Sequence, residues 1–307
     1  MSRSVVLLSA GIVSAHGSEN AQSLQGIRTG ISAIGELTSF EAHEDSPGLA
    51  AEIRDFEIGR WFPSIKSYVD RCTALALKAA KNALDSAPCQ LHREEIGLVF
   101  GSEFGCMETM RLYTLAGIEK GWRFAPPFVF VHSYANTPAA MLHIELGLKG
   151  FGNVFSGSPD AGALALADAV EVISSRKADV VIVGASEALG PTRYEYIRQR
   201  DLLGSFDEPS EENTPGEGAA FIVLSASDSE AVSGFADLDR FPEIYIADYN
   251  AAEAEDPLPG FLKLFGNCSS ANAPMRAALF ALDDSLGRMT IEIPNSQGRT
   301  ICLERKL

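Results

Sequence analysis

Cysteines and histidines are the side chains best suited to nucleophilic attack and proton transfer, and the chain has five of each. The cysteines are Cys72, Cys89, Cys106, Cys268 and Cys302. None belongs to a CxxC pair, so neither a disulfide framework nor a zinc site is indicated. The histidines are His16, His43, His92, His132 and His143, and none follows. The sequence predicts no metal ion and no cofactor.

A serine in the stretch SGSPDAG, residues 156–162, is a further candidate nucleophile. A reactive serine needs an adjacent base, usually histidine, and this stretch does not fit the G-x-S-x-G elbow. Ser158 is favoured as the N-cap of a helix, with Pro159 in the first turn and Asp160 near the positive end of the helix dipole. A nucleophilic Ser158 remains the alternative.

Alternating strands and helices must position these side chains through the first 225 residues. The candidate strands are Val5–Val13, Ile96–Phe100, Asn153–Ser156, Val180–Gly184 and Ala219–Leu224. The candidate helices are Asp70–Ala87, Glu103–Glu119, Pro138–Leu148, Asp160–Ser175 and Thr192–Gln199. Strands such as VVIVGA are apolar on both faces, which predicts a central sheet with helices on each side. The sequence therefore predicts an α/β layered fold.

A shorter tail follows a polar, turn-rich stretch at Ser225–Pro242. It is predicted to contain a strand at Ile244–Asp248, a helix at Ala273–Asp284 and strands at Met289–Ile293 and Thr300–Glu304. The last two strands predict a terminal hairpin. We therefore expect two parts, residues 1–225 and 226–307.

Charge and hydropathy exclude several classes of partner. The net charge of −16 argues against nucleic acid and anionic membranes, because both attract basic patches. No apolar run approaches the roughly 20 residues that span a bilayer. The opening MSRSVVLLSAGIVSAHG is interpreted as a buried strand rather than a signal peptide, so a cytoplasmic location is predicted.

Five stretches stand in a specific order along the first part. They are VVLLSAGIVSAHGSENAQSLQGIRTGISAI, YVDRCTALALKAAKNALDSA, EEIGLVFGSEFGCMETM, HIELGLKGFGNVFSGSPDAGALALADAVEVISSRKADVVIVGASEA and FDEPSEENTPGEGAAFIVL. Together they resemble the β-ketoacyl synthases of fatty acid and polyketide synthesis, closest to the catalytically silent chain-length factors. The resemblance implies a thiolase-like αβαβα fold and dimerisation. It fades after Leu224, which predicts an abbreviated C-terminal half.

The resemblance also implies where catalytic residues should lie. The family's nucleophilic cysteine falls at Pro159, which has no nucleophile, so the position is degenerate. The HGTGT-like turn corresponds to DYNAA, residues 248–252, and the later K…GH segment to KLFGN, residues 263–267, with Asn267 as the one possible remnant. The glycine-rich C-terminal loop is reduced to NSQG, residues 295–298. We therefore expect no catalytic residue.

The helix after the Ile96–Phe100 strand lines the acyl tunnel in the resembling family. The matching positions here are Gly105, Cys106, Thr109, Met110 and Tyr113. The methionine and the tyrosine are bulky enough to form a tunnel floor. Cys106 itself is interpreted as a packed thiol, and Gly216-Glu217-Gly218 as a tight turn into a buried strand.

Three functions follow from these expectations. The leading one is a non-catalytic subunit that pairs with an active β-ketoacyl synthase and shapes its acyl tunnel, and that meets the acyl carrier protein through this partner. The acidity of the chain favours this function, because acyl carrier proteins are also acidic. The alternatives are a stand-alone acyltransferase or hydrolase that uses Ser158, and a homodimeric acyl-binding protein.

Overall fold

Strands and helices alternate along the chain much as the pattern predicts. The computed structural model describes residues 3–66, 68–203, 213–235, 238–248, 258, 260–292 and 299–305. The strands are β1 Val5–Val13, β2 Gly35–Glu36, β3 Leu49–Ala50, β4 Gly97–Ser102, β5 Gly152–Ser156, β6 Val180–Glu187, β7 Gly218–Ala226, β8 Glu243–Asp248, β9 Arg288–Glu292 and β10 Arg299–Glu304. The helices are α1 Asn20–Thr29, α2 Arg71–Asp85, α3 Met107–Lys120, α4 Pro127–Val131, α5 Thr137–Leu146, α6 Ala161–Ser174, α7 Pro191–Gln199, α8 Phe261–Phe265 and α9 Asn272–Leu282. The predicted α/β fold is confirmed.

The main sheet has eight strands in the order β5-β4-β6-β7-β1-β8-β10-β9. Strand β4 is parallel to both β5 and β6, whereas β7 is antiparallel to β6 and to β1. The last strands β9 and β10 pair antiparallel, which confirms the predicted terminal hairpin. Strand β8 connects the strands of residues 226–307 to the rest of the main sheet, because its Glu243 pairs with Val6 of β1.

Alternate residues of the strands face two different cores. On β4, Leu98 and Phe100 belong to one core cluster with α2 and α5, whereas Val99 belongs to the other. That second cluster holds α6 and α9, and it includes Ile244 of β8 and Leu303 of β10. Strands that are apolar on both faces are therefore covered on both, as predicted. The boundary between residues 225 and 226 stays a prediction.

Helix boundaries differ from the sequence pattern where side chains from distant segments bind the backbone. Helix α3 was expected from Glu103 but begins at Met107. The backbone N–H groups of Glu103 and Phe104 donate to the carboxylate of Glu187, and Gly105 adopts a φ of 52°. These three residues therefore form a turn before the helix. None of the helices in the described residues is long and apolar enough to cross a membrane.

Parts of two family segments lie outside the described residues. Residues 249–252 belong to the turn matched to HGTGT, which begins at the last residue of β8. Residues 295–298 are the whole of the C-terminal loop matched to the family's glycine-rich loop.

Candidate functional site

Pro159 lies in the short turn between β5 and α6. Helix α6 begins at Ala161 with Asp160 in the N-cap position, so the prediction that Ser158 is the N-cap is wrong by two residues. The Ser158 hydroxyl instead accepts a hydrogen bond from the Asp160 backbone N–H at 3.2 Å. It thus stabilises the turn that leads into the helix. The pyrrolidine ring of Pro159 precedes the N-cap rather than following it.

Two glycines let the start of α6 pack closely against other segments. A Cβ on Gly101 of β4 would lie 2.7 Å from the carbonyl oxygen of Ala161. A Cβ on Gly162 would lie 1.9 Å from the carbonyl oxygen of Ser270, in the turn before α9. Both distances are too short for any side chain. The start of α6, two residues after Pro159, is therefore held between β4 and a segment more than a hundred residues later in the chain.

A cleft of about 520 Å³ opens beside this turn, and we call it the elbow cleft. Its lining includes Pro159, Asp160, Arg193, Arg200, Asn267 and Ser269. The structure therefore brings together the two positions that sequence reasoning identified, Pro159 and Asn267. No cysteine and no histidine lines this cleft in the part of the chain that the structure describes.

Asn267 has a structural role in the turn before α9. Its side-chain oxygen accepts hydrogen bonds from the backbone N–H of Ser269 at 2.8 Å and from the side chain of Asn272 at 3.0 Å. Ser269 has a positive φ of 49°, and its hydroxyl bonds to the Glu103 carboxylate. These contacts hold the Asn267 side chain in the turn through its amide oxygen.

Two buried charges near the elbow cleft were missed by the sequence reasoning. Glu187 at the end of β6 is fully buried, and its carboxylate accepts from Ser102, Ser270 and two backbone N–H groups. Burial raises the pKa of this carboxyl above its usual value. The guanidinium of Arg193 in α7 is also buried. The motif VGASEA contains Glu187, but a strand-end glutamate in a sequence does not reveal its burial.

A second cleft, the large cleft, measures about 800 Å³ and lies between residues 38–57 and the first turns of α3 and α7. Of the five predicted tunnel residues, only Gly105 lines it. Phe104, which the sequence reasoning did not single out, lines both clefts together with Arg193. The two clefts are therefore separated by this aromatic ring and this guanidinium, whose carbon lies 5.6 Å from the ring centre.

The other tunnel candidates have different surroundings. Cys106 and Thr109 are buried, and the Thr109 hydroxyl donates to the Asp70 carboxylate at the start of α2. Met110 is 36% exposed, and the Tyr113 ring packs 5.1 Å from that of Phe130. Neither the elbow cleft nor the large cleft brings these residues together. A shared tunnel with a partner stays a prediction.

Burial makes the Cys106 thiol a poor nucleophile. It raises the pKa of this thiol well above its usual value, and the nearby Asp70 carboxylate acts in the same direction. The interpretation of Cys106 as a packed thiol fits this environment. Two of the histidines are held by neighbouring residues as well: the His132 ring contacts those of Tyr68 and Phe128, and His143 bonds to the Leu148 carbonyl at 3.0 Å.

A large apolar surface lies on α3, α4 and the turn between them, and we call it the α3–α4 surface. Its exposed side chains are Met110, Leu112, Leu115, Ile118, Trp122, Phe124, Phe128 and Val131. Strand β5 is at the end of the sheet order and pairs only with β4 in the described residues. Exposed apolar patches and open strand edges are both features of association surfaces.

Comparison with known families accounts for this architecture. Residues 2–229 match the family described as "Beta-ketoacyl synthase, N-terminal domain". The chain belongs to the β-ketoacyl synthase family. Among solved structures, it is similar to a β-ketoacyl synthase from Burkholderia phymatum STM815, with a TM-score of 0.74 and 17% identity over 100% of both chains. This likeness supports the thiolase-like ketosynthase fold.

Curated relatives and further structures agree with this assignment. The 3-oxoacyl-(acyl-carrier-protein) synthase 2 of Synechocystis is 25% identical over 75% of this chain, and that of Staphylococcus aureus strain COL is 24% identical over the same share. The chain spans 59% of the length of each of these proteins. "The ishigamide ketosynthase/chain length factor" has a TM-score of 0.69 and 20% identity, over 83% of this chain and 65% of that one. A "type II PKS acyl-carrier protein in complex with its ketosynthase bound to the hexaketide" has a TM-score of 0.73 and 17% identity, over 99% of both chains.

Proposed function

We propose that this chain is a non-catalytic ketosynthase-like subunit, a chain-length factor, that pairs with an active β-ketoacyl synthase and shapes its acyl tunnel. The observation that carries the proposal is the elbow cleft, which Pro159 and Asn267 line and which neither cysteine nor histidine lines in the described residues. The resemblance assigns Pro159 to the position of the family's nucleophile. Condensation of this type needs a thiolate nucleophile and basic residues that stabilise an enolate. An active partner would supply both.

The α3–α4 surface supports pairing. Ile118, Trp122 and Phe124 are 70%, 61% and 69% exposed, and burying such side chains in an interface is worth about 1.5–3 kcal/mol each. Obligate interfaces are typically large and apolar. An active partner would also carry the basic surface that an acidic acyl carrier protein requires, since this chain has a net charge of −16. Among similar structures, one is a ketosynthase/chain length factor and another holds an acyl-carrier protein with its ketosynthase.

Co-expression with the cognate synthase tests the pairing. The expected product is a stable 1:1 complex, measured by light scattering after size exclusion. Ile118→Glu should abolish it, because the charge falls within the α3–α4 surface. Ile31→Glu is the matched control, since Ile31 is 65% exposed outside that surface. A wild-type chain that remains a monomer in the presence of the synthase contradicts the proposal.

Acylation tests the catalytic part. The purified chain should take up no acyl group from an acyl-carrier thioester in intact-mass measurements, and it should not decarboxylate a malonyl thioester. Stoichiometric acylation that Ser158→Ala removes would instead support a stand-alone acyltransferase or hydrolase.

A further inference from the structure

Arg193 is a buried cation whose N–H donors are only partly used in hydrogen bonds. It is 3% exposed. Its Nη1 donates to the carbonyl oxygens of Ala188 at 3.3 Å and Gly216 at 2.7 Å, and its Nη2 to that of Asn267 at 2.6 Å. Its Nε has no protein partner among the described residues. A guanidinium has five N–H donors, so three are used here and two remain.

No carboxylate in the described residues compensates this charge by direct contact. Arg193 and Arg200 both line the elbow cleft, and neither has an acidic oxygen within 4.0 Å in that part of the chain. Arg198 on the same helix shows the usual arrangement, with Glu195 at 2.7 Å. Arg200 lies over the ring of Tyr196, with its guanidinium carbon 4.3 Å from the ring centre. The buried Glu187 carboxylate interacts with Arg193 electrostatically but makes no hydrogen bond to it. The two remaining N–H donors of Arg193 therefore still lack an acceptor among the described residues, which points to a ligand.

Unsatisfied polar atoms are concentrated in the same helical turn. Six buried side-chain polar atoms lack a hydrogen-bond partner in the described residues, and three of them are Thr192 Oγ1, Arg193 Nε and Tyr194 Oη. Nearly all buried polar groups in folded proteins are satisfied. Of these three residues, Arg193 lines the elbow cleft, whereas Thr192 lines the large cleft and Tyr194 lines neither. A ligand that accepts hydrogen bonds at this wall would satisfy Arg193 directly.

We infer that the elbow cleft binds the carboxylate of an unesterified acyl chain, with Arg193 and Arg200 as its cationic partners. Phe104, Ile197 and Leu202 line the same cleft and would contact the hydrocarbon body. The inferred ligand is a monoanion, because Glu103 and Asp160 also line the cleft and would repel a phosphate dianion. A thioester is neutral and would bring no negative charge to the two arginines. The inference goes beyond the proposed pairing, since the whole site lies within one chain.

Calorimetric titration of the full chain with octanoate and with octanamide tests the charge. The two probes have the same hydrocarbon length and differ in charge, so octanoate should bind about tenfold or more tightly, as expected for charge-assisted hydrogen bonds. Arg193→Gln should remove this preference. Because Arg193 also holds three backbone carbonyls, its variant requires a thermal-unfolding check.

Arg200→Gln keeps the test independent of folding, because Arg200 is exposed. It should weaken octanoate binding about threefold and leave octanamide binding unchanged. Arg198→Gln is the matched control on the same helix and should bind octanoate as the wild type does. Equal binding of the two probes, no octanoate binding, or equal effects of Arg200→Gln and Arg198→Gln would each overturn the inference. Failure of the subunit pairing would not affect these outcomes.

Discussion

Arg71 and Glu217 form a two-point ion pair that joins the start of α2 to the start of β7. Arg71 Nε lies 2.6 Å from one carboxylate oxygen and Nη2 lies 2.6 Å from the other. Glu217 also accepts from the backbone N–H groups of Ile53 at 2.8 Å and Leu189 at 3.2 Å. One buried carboxylate therefore connects four separate segments around the large cleft, in the turn that the sequence pattern predicted before a buried strand.

Glu217→Gln should destabilise the fold. The substitution removes the negative charge that faces Arg71 and leaves a buried hydrogen-bond network incomplete. Because the Arg71 side chain is 39% exposed, water compensates part of the loss, and we expect about 2 kcal/mol in the free energy of unfolding by denaturant. Glu195→Gln is the control at the exposed pair with Arg198 and should leave stability unchanged. Equal effects of both substitutions would contradict this role of Glu217.

Ser158→Ala should lower stability modestly. The hydroxyl accepts one hydrogen bond, from the Asp160 N–H, in the turn before α6. Loss of this bond should cost about 0.5–1 kcal/mol, measured as a shift in the thermal or denaturant midpoint. Function in a reconstituted complex should survive. A variant of unchanged stability that loses all activity would show that Ser158 performs chemistry.

Glu187 should make the stability of the protein depend on pH. In an unfolded chain a glutamate titrates at about pH 4.3, whereas burial raises the pKa of Glu187 in the folded state. The folded state therefore holds this proton more tightly. The stability that it contributes is fully present below the unfolded pKa and is lost as pH rises through the folded pKa.

Denaturant titrations at several pH values check this prediction. Glu187→Gln cannot titrate, so its free energy of unfolding should fall less than that of the wild type as pH rises above about 4.3. Glu94 is the contrasting control, because the Lys149 ammonium lowers the pKa of that exposed carboxyl. Parallel pH profiles for wild type and Glu187→Gln would rule out a raised pKa.

Chain-length control predicts longer products when the tunnel floor is reduced. In the complex with the active synthase, Met110→Ala and Tyr113→Ala should each lengthen the product, because a growing chain needs volume and a close-packed wall yields little. Ile31→Ala should leave it unchanged. Mass spectrometry of the released products provides the measurement. Unaltered products from an intact complex would exclude the floor assignment.

Thr109 is unsuited to the opposite test, in which a larger side chain would fill the tunnel and shorten the product. Its side chain is fully buried and bonds to Asp70. A tryptophan there would disrupt packing in this chain before it could reach a partner's tunnel.

Local pattern was sufficient for most of the secondary structure. The predicted strand Val5–Val13 has the observed bounds. Helix α2 was expected because its apolar residues recur at the spacing of a helix that buries one face. Boundaries shifted where a distant side chain binds the backbone, as Glu187 does with the N–H of Glu103. That contact spans 84 residues, so no local window contains it.

The sequence by itself determined the residue types on which the proposed lack of catalysis depends. It places proline at residue 159 and no histidine after residue 143, and these are identities that folding cannot change. Only the tertiary structure decided what occupies the elbow cleft instead. Arg193 reaches the Asn267 carbonyl across 74 residues, and its burial without a contacting carboxylate depends on how α7 packs against the turn before α9. Side-chain partners of this kind are set by long-range packing, because segments far apart in the chain contact each other only in the folded state.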